Sequence, residues 1–291
     1  EQPDPAAYLA TSGGNVRGVA RFFPARVDAK LIEALPKLEL IASSGVGYDT
    51  VDVAAAAARG VIVTNTPDAV TEETADTAVA LLMMTVRELG AAERYLRSGL
   101  WSRNGDYRET EGTLRDRKVG IVGLGRIGSA IARRLDAARV PVVYHSRRAV
   151  PGSPYRYYDS LRAMAADVDT RVVVLPGGAS TANLIDKPVL DALGQRGGVV
   201  PLGRGSTVDE AALIVALKNK TIHAAGLDVY AKPPHVAPEL LELDNVVLLP
   251  YVGAGSRYTR QQMSKAVLDN LTAWFRDGKP LTPVPETPLK K

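Results

Sequence analysis

The chain contains no cysteine. That excludes a disulfide framework, a thiolate nucleophile and a cysteine-rich metal site, and it fits a reducing compartment such as the cytoplasm. Only three histidines occur, His145, His223 and His235, and no metal cluster, catalytic serine motif or Walker loop is visible, so no bound metal is expected. No apolar run approaches the ~18 residues of a membrane span, and no membrane partner is expected. The 36 Lys and Arg residues are dispersed among 32 acids for a net charge of +4. Without a basic block there is no footprint for a nucleic-acid backbone. The chain opens at Glu1 with no apolar targeting segment nearby, so an N-terminal piece is expected to be missing.

With 291 residues there is material for about two cores, since one core rarely grows past ~100 to 200 residues. Residues 17–65 alternate short apolar runs with helical patterns, "RGVARFF", "DAKLIEAL", "LELIAS", "VDVAAAAAR", "VIVTN". This predicts βαβαβ and a parallel sheet. Residues 71–99 read as one long helix with Thr71 as N-cap, linking two domains or forming a subunit interface. Six further strands are predicted at 118–123, 140–146, 171–176, 197–203, 223–229 and 245–250, mostly separated by amphipathic helices. Together they make a doubly wound α/β sheet of the Rossmann type. A helix after residue 256 ends at Gly278 and is expected to pack back on the first series.

"VGIVGLGRIGSAIARRL" places Gly123, Gly125 and Gly128 in G-x-G-x-x-G spacing between a strand and a helix, with Arg126 and Ile127 inside the turn. The first glycine permits the turn, the second admits a pyrophosphate to the backbone, and the third lets helix and strand pack closely. The helix N-terminus then offers N–H groups and a positive dipole end to the phosphates. An NAD site carries an acid ~20 residues further on, at the end of the next strand. Here no Asp or Glu occurs from 137 to 158, and the strand ends "YHSRR". Ser146, Arg147 and Arg148 suit a ribose 2'-phosphate, so NADPH/NADP is expected ahead of NADH. The alternative is a pair of solvated surface arginines.

On these motifs the chain resembles the D-isomer-specific 2-hydroxyacid dehydrogenase family, particularly its NADPH-preferring glyoxylate and hydroxypyruvate reductases. The likeness runs through "SSGVGYDTVD", "GIVGLGRIG", "LIDKPVLDALG", "GRGSTVDEAALIVAL", "GAGS" and "GKPLTPVPE". It implies a flavodoxin-like substrate domain from 1–73 and 257–291, lacking its first strand, a dinucleotide-binding domain from 74–256, and an active site in the cleft between them. It also implies a homodimer. Val46 and Gly47 would give N–H groups to the substrate carboxylate, and Arg204 would bind that carboxylate and polarise the 2-oxo group. Asp228 would accept from the nicotinamide carboxamide, with Pro176 and Gly203 lining the cofactor site. Without the family context, Asp228 reads equally as a cap at a strand end.

The family's acid/base is a histidine oriented by a glutamate. At those positions this chain has Tyr251 and Pro233, and Pro201 replaces a family Asn near Arg204. These three departures are expected to cluster around one cleft, with Pro201 removing a backbone donor. General acid catalysis contributes ~100- to 10,000-fold. An ordinary phenol, near pKa ~10, can donate to an alkoxide but is a poor base at neutral pH. Lys232 could lower a phenol's pKa as a nearby cation; a lysine in a loop is otherwise solvated. The expected function is therefore impaired NADPH-dependent reduction of small 2-oxo acids. The alternative is a catalytically silent NADPH-binding or regulatory protein on the same scaffold. A dinucleotide-binding transcriptional regulator ranks third, because no DNA-reading motif is visible.

Overall fold

The computed structural model describes residues 4–287 and 289. The chain forms two compact units, Glu1–Val70 with Gly255–Lys291, and Thr71–Ala254.

The first unit begins with α1 (Pro5–Ser12), then alternates β1 (Gly18–Arg21), α2 (Ala29–Glu33), β2 (Leu40–Ser43), α3 (Val53–Ala58) and β3 (Ile62–Thr64). The three strands form a parallel sheet in the order β1-β2-β3. Asp28 and Asp52 start α2 and α3 by accepting the N–H groups of Leu31 and Ala55, each at 2.9 Å. On β2 the side chains alternate, as a strand requires. Ile41 joins Ile32, Leu35 and Val51 on one face, while Leu40 and Ala42 meet Val267 on the other.

The second unit carries α4 (Thr71–Val86), α5 (Leu89–Arg97) and α6 (Leu100–Asn104), followed by β4 (Val119–Val122), α7 (Arg126–Ala137), β5 (Val142–His145), β6 (Arg156–Tyr158), α8 (Leu161–Asp167) and β7 (Thr170–Val173). It continues with α9 (Lys187–Leu193), β8 (Gly198–Pro201), α10 (Glu210–Lys218), β9 (Ala224–Leu227), α11 (Pro238–Leu241) and β10 (Val246–Leu248). All neighbours in the order β10-β9-β8-β7-β4-β5-β6 are parallel. The order reverses between β4 and β7, the point at which a doubly wound sheet binds its ligand. The chain then returns to the first unit as α12 (Arg257–Asp277), capped by Ser256 and stopped by Gly278 at φ 65°.

Two expectations from the sequence need correction. The helix foreseen over 71–99 breaks after Val86, where Glu88 takes a left-handed φ of 54°. Its carboxylate is nearly buried and bonds to the Arg108 guanidinium, which holds the chain in that turn. α4 buries Ala75, Ala78, Leu81 and Leu82 within its own unit. The sheet also has a seventh strand, β6, which was not foreseen. At three residues it shows no apolar run, and as an edge strand it is held by tyrosines: Tyr157 donates to Ser146 O at 3.2 Å, and Tyr158 O bonds to His145 Nδ1 at 2.9 Å.

Pro201 is accommodated within β8. Alternate residues of a strand point their N–H groups to opposite sides. The Leu202 N–H donates to Val173 O on β7, whereas pairing to β9 ends at Val199↔Ala225. The missing donor of Pro201 thus falls on the side where the ladder has already stopped. No helix among the described residues is long and apolar enough to cross a membrane.

Candidate active site

In a parallel sheet every strand delivers its C-terminal end to one edge, so β4, β5, β7, β8, β9 and β10 place the loops of the second unit side by side. The turn after β4 is tight. Gly123 has φ 100°, and a Cβ there would stand 2.9 Å from Val174 O. A Cβ at Gly128 would overlap the Gly123 carbonyl oxygen. Gly125, by contrast, faces open space and begins α7 with no side-chain cap. The Ile127 and Gly128 N–H groups in the first turn of the 12-residue α7 therefore face an anion at a place where the backbone can be approached closely. A pyrophosphate fits this cradle, with Arg126 and Ile127 following in the first turn of the helix.

The next loop is set by β5 and β6. Ser146 Oγ donates to Arg148 O, and the Val150 N–H donates to Tyr144 Oη at 2.9 Å. Within this pinned turn Arg147 and Arg148 are exposed, and neither side chain has a hydrogen-bond or ion-pair partner among the described residues.

Arg204 follows β8 between two glycines that are both sterically required. A Cβ at Gly203 would run into the Leu175 backbone, and one at Gly205 would overlap the Tyr230 carbonyl. Thr207 Oγ donates to Arg204 O at 2.7 Å. The half-buried guanidinium donates through Nη1 to Gly203 O at 3.1 Å and to Tyr251 Oη at 3.2 Å. Pro176, exposed after β7, accepts from Thr181 Oγ at 2.7 Å.

Tyr251 stands in the left-handed region at φ 59°, its N–H turned back to Leu249 O at 3.1 Å. For a tyrosine this conformation costs on the order of 1–2 kcal/mol. Asp228, only 2% exposed, holds it there by accepting the N–H groups of Val252 at 2.7 Å and Gly253 at 2.8 Å. Burial raises the Asp228 pKa, and those two N–H bonds oppose the rise. Asp228 is thus seen as a strand-end clamp on the tyrosine loop. Tyr230 braces the same loop by donating to Leu249 O at 2.8 Å, and burial pushes its phenol up to about 12.

In the first unit, Val46 and Gly47 lie in the loop after β2. Gly45 has φ 113°, and Thr66 brackets it, accepting the Gly45 N–H at 2.8 Å and donating its own N–H to Gly45 O at 2.9 Å. Asn65 Nδ2 donates to Val46 O at 2.9 Å. The Val46 and Gly47 N–H groups have no acceptor among the described residues.

A family model described as the NAD binding domain of D-isomer specific 2-hydroxyacid dehydrogenases matches residues 79–253. The chain belongs to that family. Among its relatives, a glyoxylate/hydroxypyruvate reductase of Arabidopsis thaliana is 42% identical over 282 residues, which is 97% of this chain and 90% of that one. A hydroxyphenylpyruvate reductase of Plectranthus scutellarioides is 43% identical over 284 residues, again 97% and 90%. A solved NADPH-dependent glyoxylate/hydroxypyruvate reductase of Sinorhizobium meliloti, in complex with NADP and malonate, superposes with a TM-score of 0.93 at 49% identity, over 99% of this chain and 88% of that one.

For a 2-hydroxyacid dehydrogenase, the grouping of residues differs from expectation. Arg204 and Tyr251 meet directly, but Pro233 is exposed in the turn from Lys232 to His235, closed by the His235 N–H to Lys232 O at 2.8 Å. That proline takes no part in the hydrogen bonds around Arg204, and neither does Pro201 on its strand. Lys232 is exposed and is not among the groups that shift Tyr230. The histidines have other engagements: His145 bonds to Tyr158 O, His223 lies 3.8 Å from Glu88, and His235 closes the exposed turn. The residues that sequence reasoning missed are supports. Thr66 and Asn65 hold the Val46 loop, and Arg21, 3% exposed, braces its base through Ser43 Oγ at 3.4 Å and Ser44 O at 3.3 Å. An arginine closing an apolar strand was the one available signal for Arg21.

Proposed function

We propose that this 2-hydroxyacid dehydrogenase reduces small 2-oxo acids, glyoxylate and hydroxypyruvate among them, to 2-hydroxy acids with NADPH, and does so slowly. The hydrogen bond from Arg204 to Tyr251 carries the reading, because it places a fixed cation and a phenol side by side at the sheet edge that holds the phosphate turn. A bound nicotinamide would supply the hydride. Arg204 binds the carboxylate and polarises the 2-oxo group, with its planar fork anchored through Nη1 to Gly203 O and Tyr251 Oη. The Tyr251 hydroxyl donates a proton toward the developing alkoxide, and the free Val46 and Gly47 N–H groups suit a carboxylate on the first unit. Asp228 orients the tyrosine loop, and each of its oxygens keeps a further lone pair for a carboxamide N–H.

Steady-state NADPH oxidation with glyoxylate and hydroxypyruvate tests this. Turnover below about one per second is expected, under the ~1 to 1,000 per second usual for enzymes. A rate inside that range would refute the impairment. NADPH binding with no turnover at all would favour the catalytically silent reading, which the loss of the family histidine and glutamate supports.

Two further outcomes bear on the cofactor and on Arg204. Replacing Arg147 and Arg148 together by Ala should weaken NADPH by at least about 100-fold by fluorescence titration, since each charge-assisted bond is worth ~1.5–3 kcal/mol and ~1.4 kcal/mol is tenfold. NADH binding should change less than about twofold; equal losses would return both arginines to the solvated surface. Gly205→Ala forces a Cβ into the Tyr230 carbonyl, so Arg204 must shift. A displacement near 1 Å costs about 100-fold in kcat/KM, and the circular dichroism spectrum should stay that of the native fold.

The exposed Leu89 and Leu96, seven residues apart and so on one face of α5, together with the exposed Trp101 on α6, support a homodimer, since exposed apolar surface marks interaction sites. Light scattering should then return twice the 31.0 kDa of one chain. The absence of cysteine supports a cytoplasmic setting.

A further inference from the structure

The two N–H groups offered by the loop after β2 belong to successive peptides, Gly45–Val46 and Val46–Gly47. A peptide is planar and trans, so its N–H points opposite to its own carbonyl, and whatever holds the carbonyl aims the N–H. Both carbonyls are held from behind by the two residues that follow β3. Gly45 O accepts the Thr66 N–H at 2.9 Å, and Val46 O accepts Asn65 Nδ2 at 2.9 Å. The first grip is made by backbone and needs no particular side chain. The second needs a side-chain donor of this length at position 65, and the Gly47 N–H is the group it aims.

Asn65 is itself fixed from the far end of the chain. Its N–H donates to Thr282 O at 3.3 Å, and its carbonyl accepts from Thr282 Oγ at 2.5 Å. Thr282 is held in turn by Asn270, a residue of α12 that is 1% exposed. Asn270 Oδ1 accepts the N–H groups of Leu281 at 2.9 Å and Thr282 at 3.0 Å, while Nδ2 donates to Thr282 Oγ at 3.0 Å and to Ala266 O at 2.8 Å. The one hydroxyl proton of Thr282 goes to Asn65 O, since Asn270 Oδ1 stands further off at 3.3 Å and already accepts two N–H groups. A buried amide is tolerated only when satisfied, and this one spends all but its bond to Ala266 on residues 281 and 282.

We propose that Asn65 is a positioning residue for the substrate carboxylate, aiming the Gly47 N–H through the Val46 carbonyl, and that Thr282 and Asn270 are the supports that keep it in place. The inference rests on the reading of Val46 and Gly47 as the carboxylate donors. It adds that the affinity of that loop for an anion is set by α12 and the segment after it, more than 200 residues along the chain.

Calorimetric titration of oxalate, a two-carbon dianion that shares the carboxylate of glyoxylate, into the NADP-loaded protein tests this for the native chain, Asn65→Ala, Thr282→Val and Thr282→Ser. Asn65→Ala should weaken oxalate at least about tenfold, the loss of one charge-assisted bond that is no longer aimed. Thr282→Val keeps the shape but not the hydroxyl and should weaken it about three- to tenfold, whereas Thr282→Ser should stay within about twofold of native. In glyoxylate turnover the loss should fall on KM, with kcat within about threefold, because the carboxylate is held alike before and during hydride transfer. Oxalate binding by Asn65→Ala at the native affinity overturns the proposal and leaves the carboxylate reading standing. Equal affinities in the Val and Ser variants overturn the support from Thr282 and Asn270, and a matching loss of NADP affinity overturns the positioning role by showing general damage. If Asn65→Ala does not melt cooperatively, the Thr282 pair decides. If the native protein binds no oxalate, the carboxylate reading falls and the proposal with it.

Discussion

Replacing Tyr251 by His together with Pro233 by Glu should raise kcat for glyoxylate reduction by about 100- to 10,000-fold, the usual worth of a positioned general acid with a pKa near the working pH. The backbone favours the first change. Position 251 sits at φ 59°, where histidine is found more readily than a tyrosine. The Asp228 clamp on Val252 and Gly253 does not depend on the side chain at 251. The gain should be larger for oxidation of the 2-hydroxy acid, because imidazole serves as a base at neutral pH and an ordinary phenol does not. Tyr251→His alone should recover only part of it, since the imidazole lacks an orienting carboxylate. Pre-steady-state reduction monitored at the NADPH absorbance separates the chemical step from release. No gain in the double variant would remove position 251 from the reaction, whatever the rest of the site does.

Arg171→Met should stabilise the fold by roughly 1 to 4 kcal/mol, by analogy with buried ion pairs that give way to well-packed apolar side chains. Arg171 lies on β7 with no exposed surface, and its Nη1 donates to Val189 O at 3.0 Å. Its Nε and Nη2 have no hydrogen-bond partner among the described residues. Burial alone lowers its pKa to about 9. Methionine follows the aliphatic stem of the side chain, ends short of the guanidinium nitrogens and so removes the polar atoms, and its flexible thioether adapts to the space. For a chain of this size the melting temperature should rise ~2–4 °C per kcal/mol.

The pH dependence gives a second check. A cation whose folded pKa is lowered leaves the unfolded state holding more protons above that pKa, so native stability climbs as pH rises past about 9. The advantage of Arg171→Met should therefore be greatest at pH 7 and shrink by pH 10 to 11. Denaturant melts in which the variant proves less stable than the native chain at pH 7 would show that a compensating interaction surrounds the guanidinium.

What could be read without a structure was local. The glycine turn follows from three glycines inside six residues, because tight turns and close helix–strand contacts leave no alternative residue. The NADPH expectation follows from the absence of an acid over 137–158, which leaves Ser146, Arg147 and Arg148 at the strand end. The parallel order of most strands follows from apolar runs separated by helices. Family likeness supplied the candidate roles of Arg204, Val46 and Gly47, and the departures at 201, 233 and 251.

The tertiary structure alone decided the remainder, and in each case the deciding partner is far along the chain. Arg204 meets a phenol 47 residues away. Asp228 reaches 24 and 25 residues ahead to fix the tyrosine loop. Glu88 breaks a helix that its own propensities would continue, because Arg108 holds its carboxylate. β6 pairs without an apolar run, and Arg171 is buried without a counter-charge among the described residues although its sequence neighbours look like those of any strand. Spacing reports what a residue can do within one turn or one strand. Which groups share a hydrogen bond is set by packing, where the cost of leaving a buried donor or charge unsatisfied outweighs local preference.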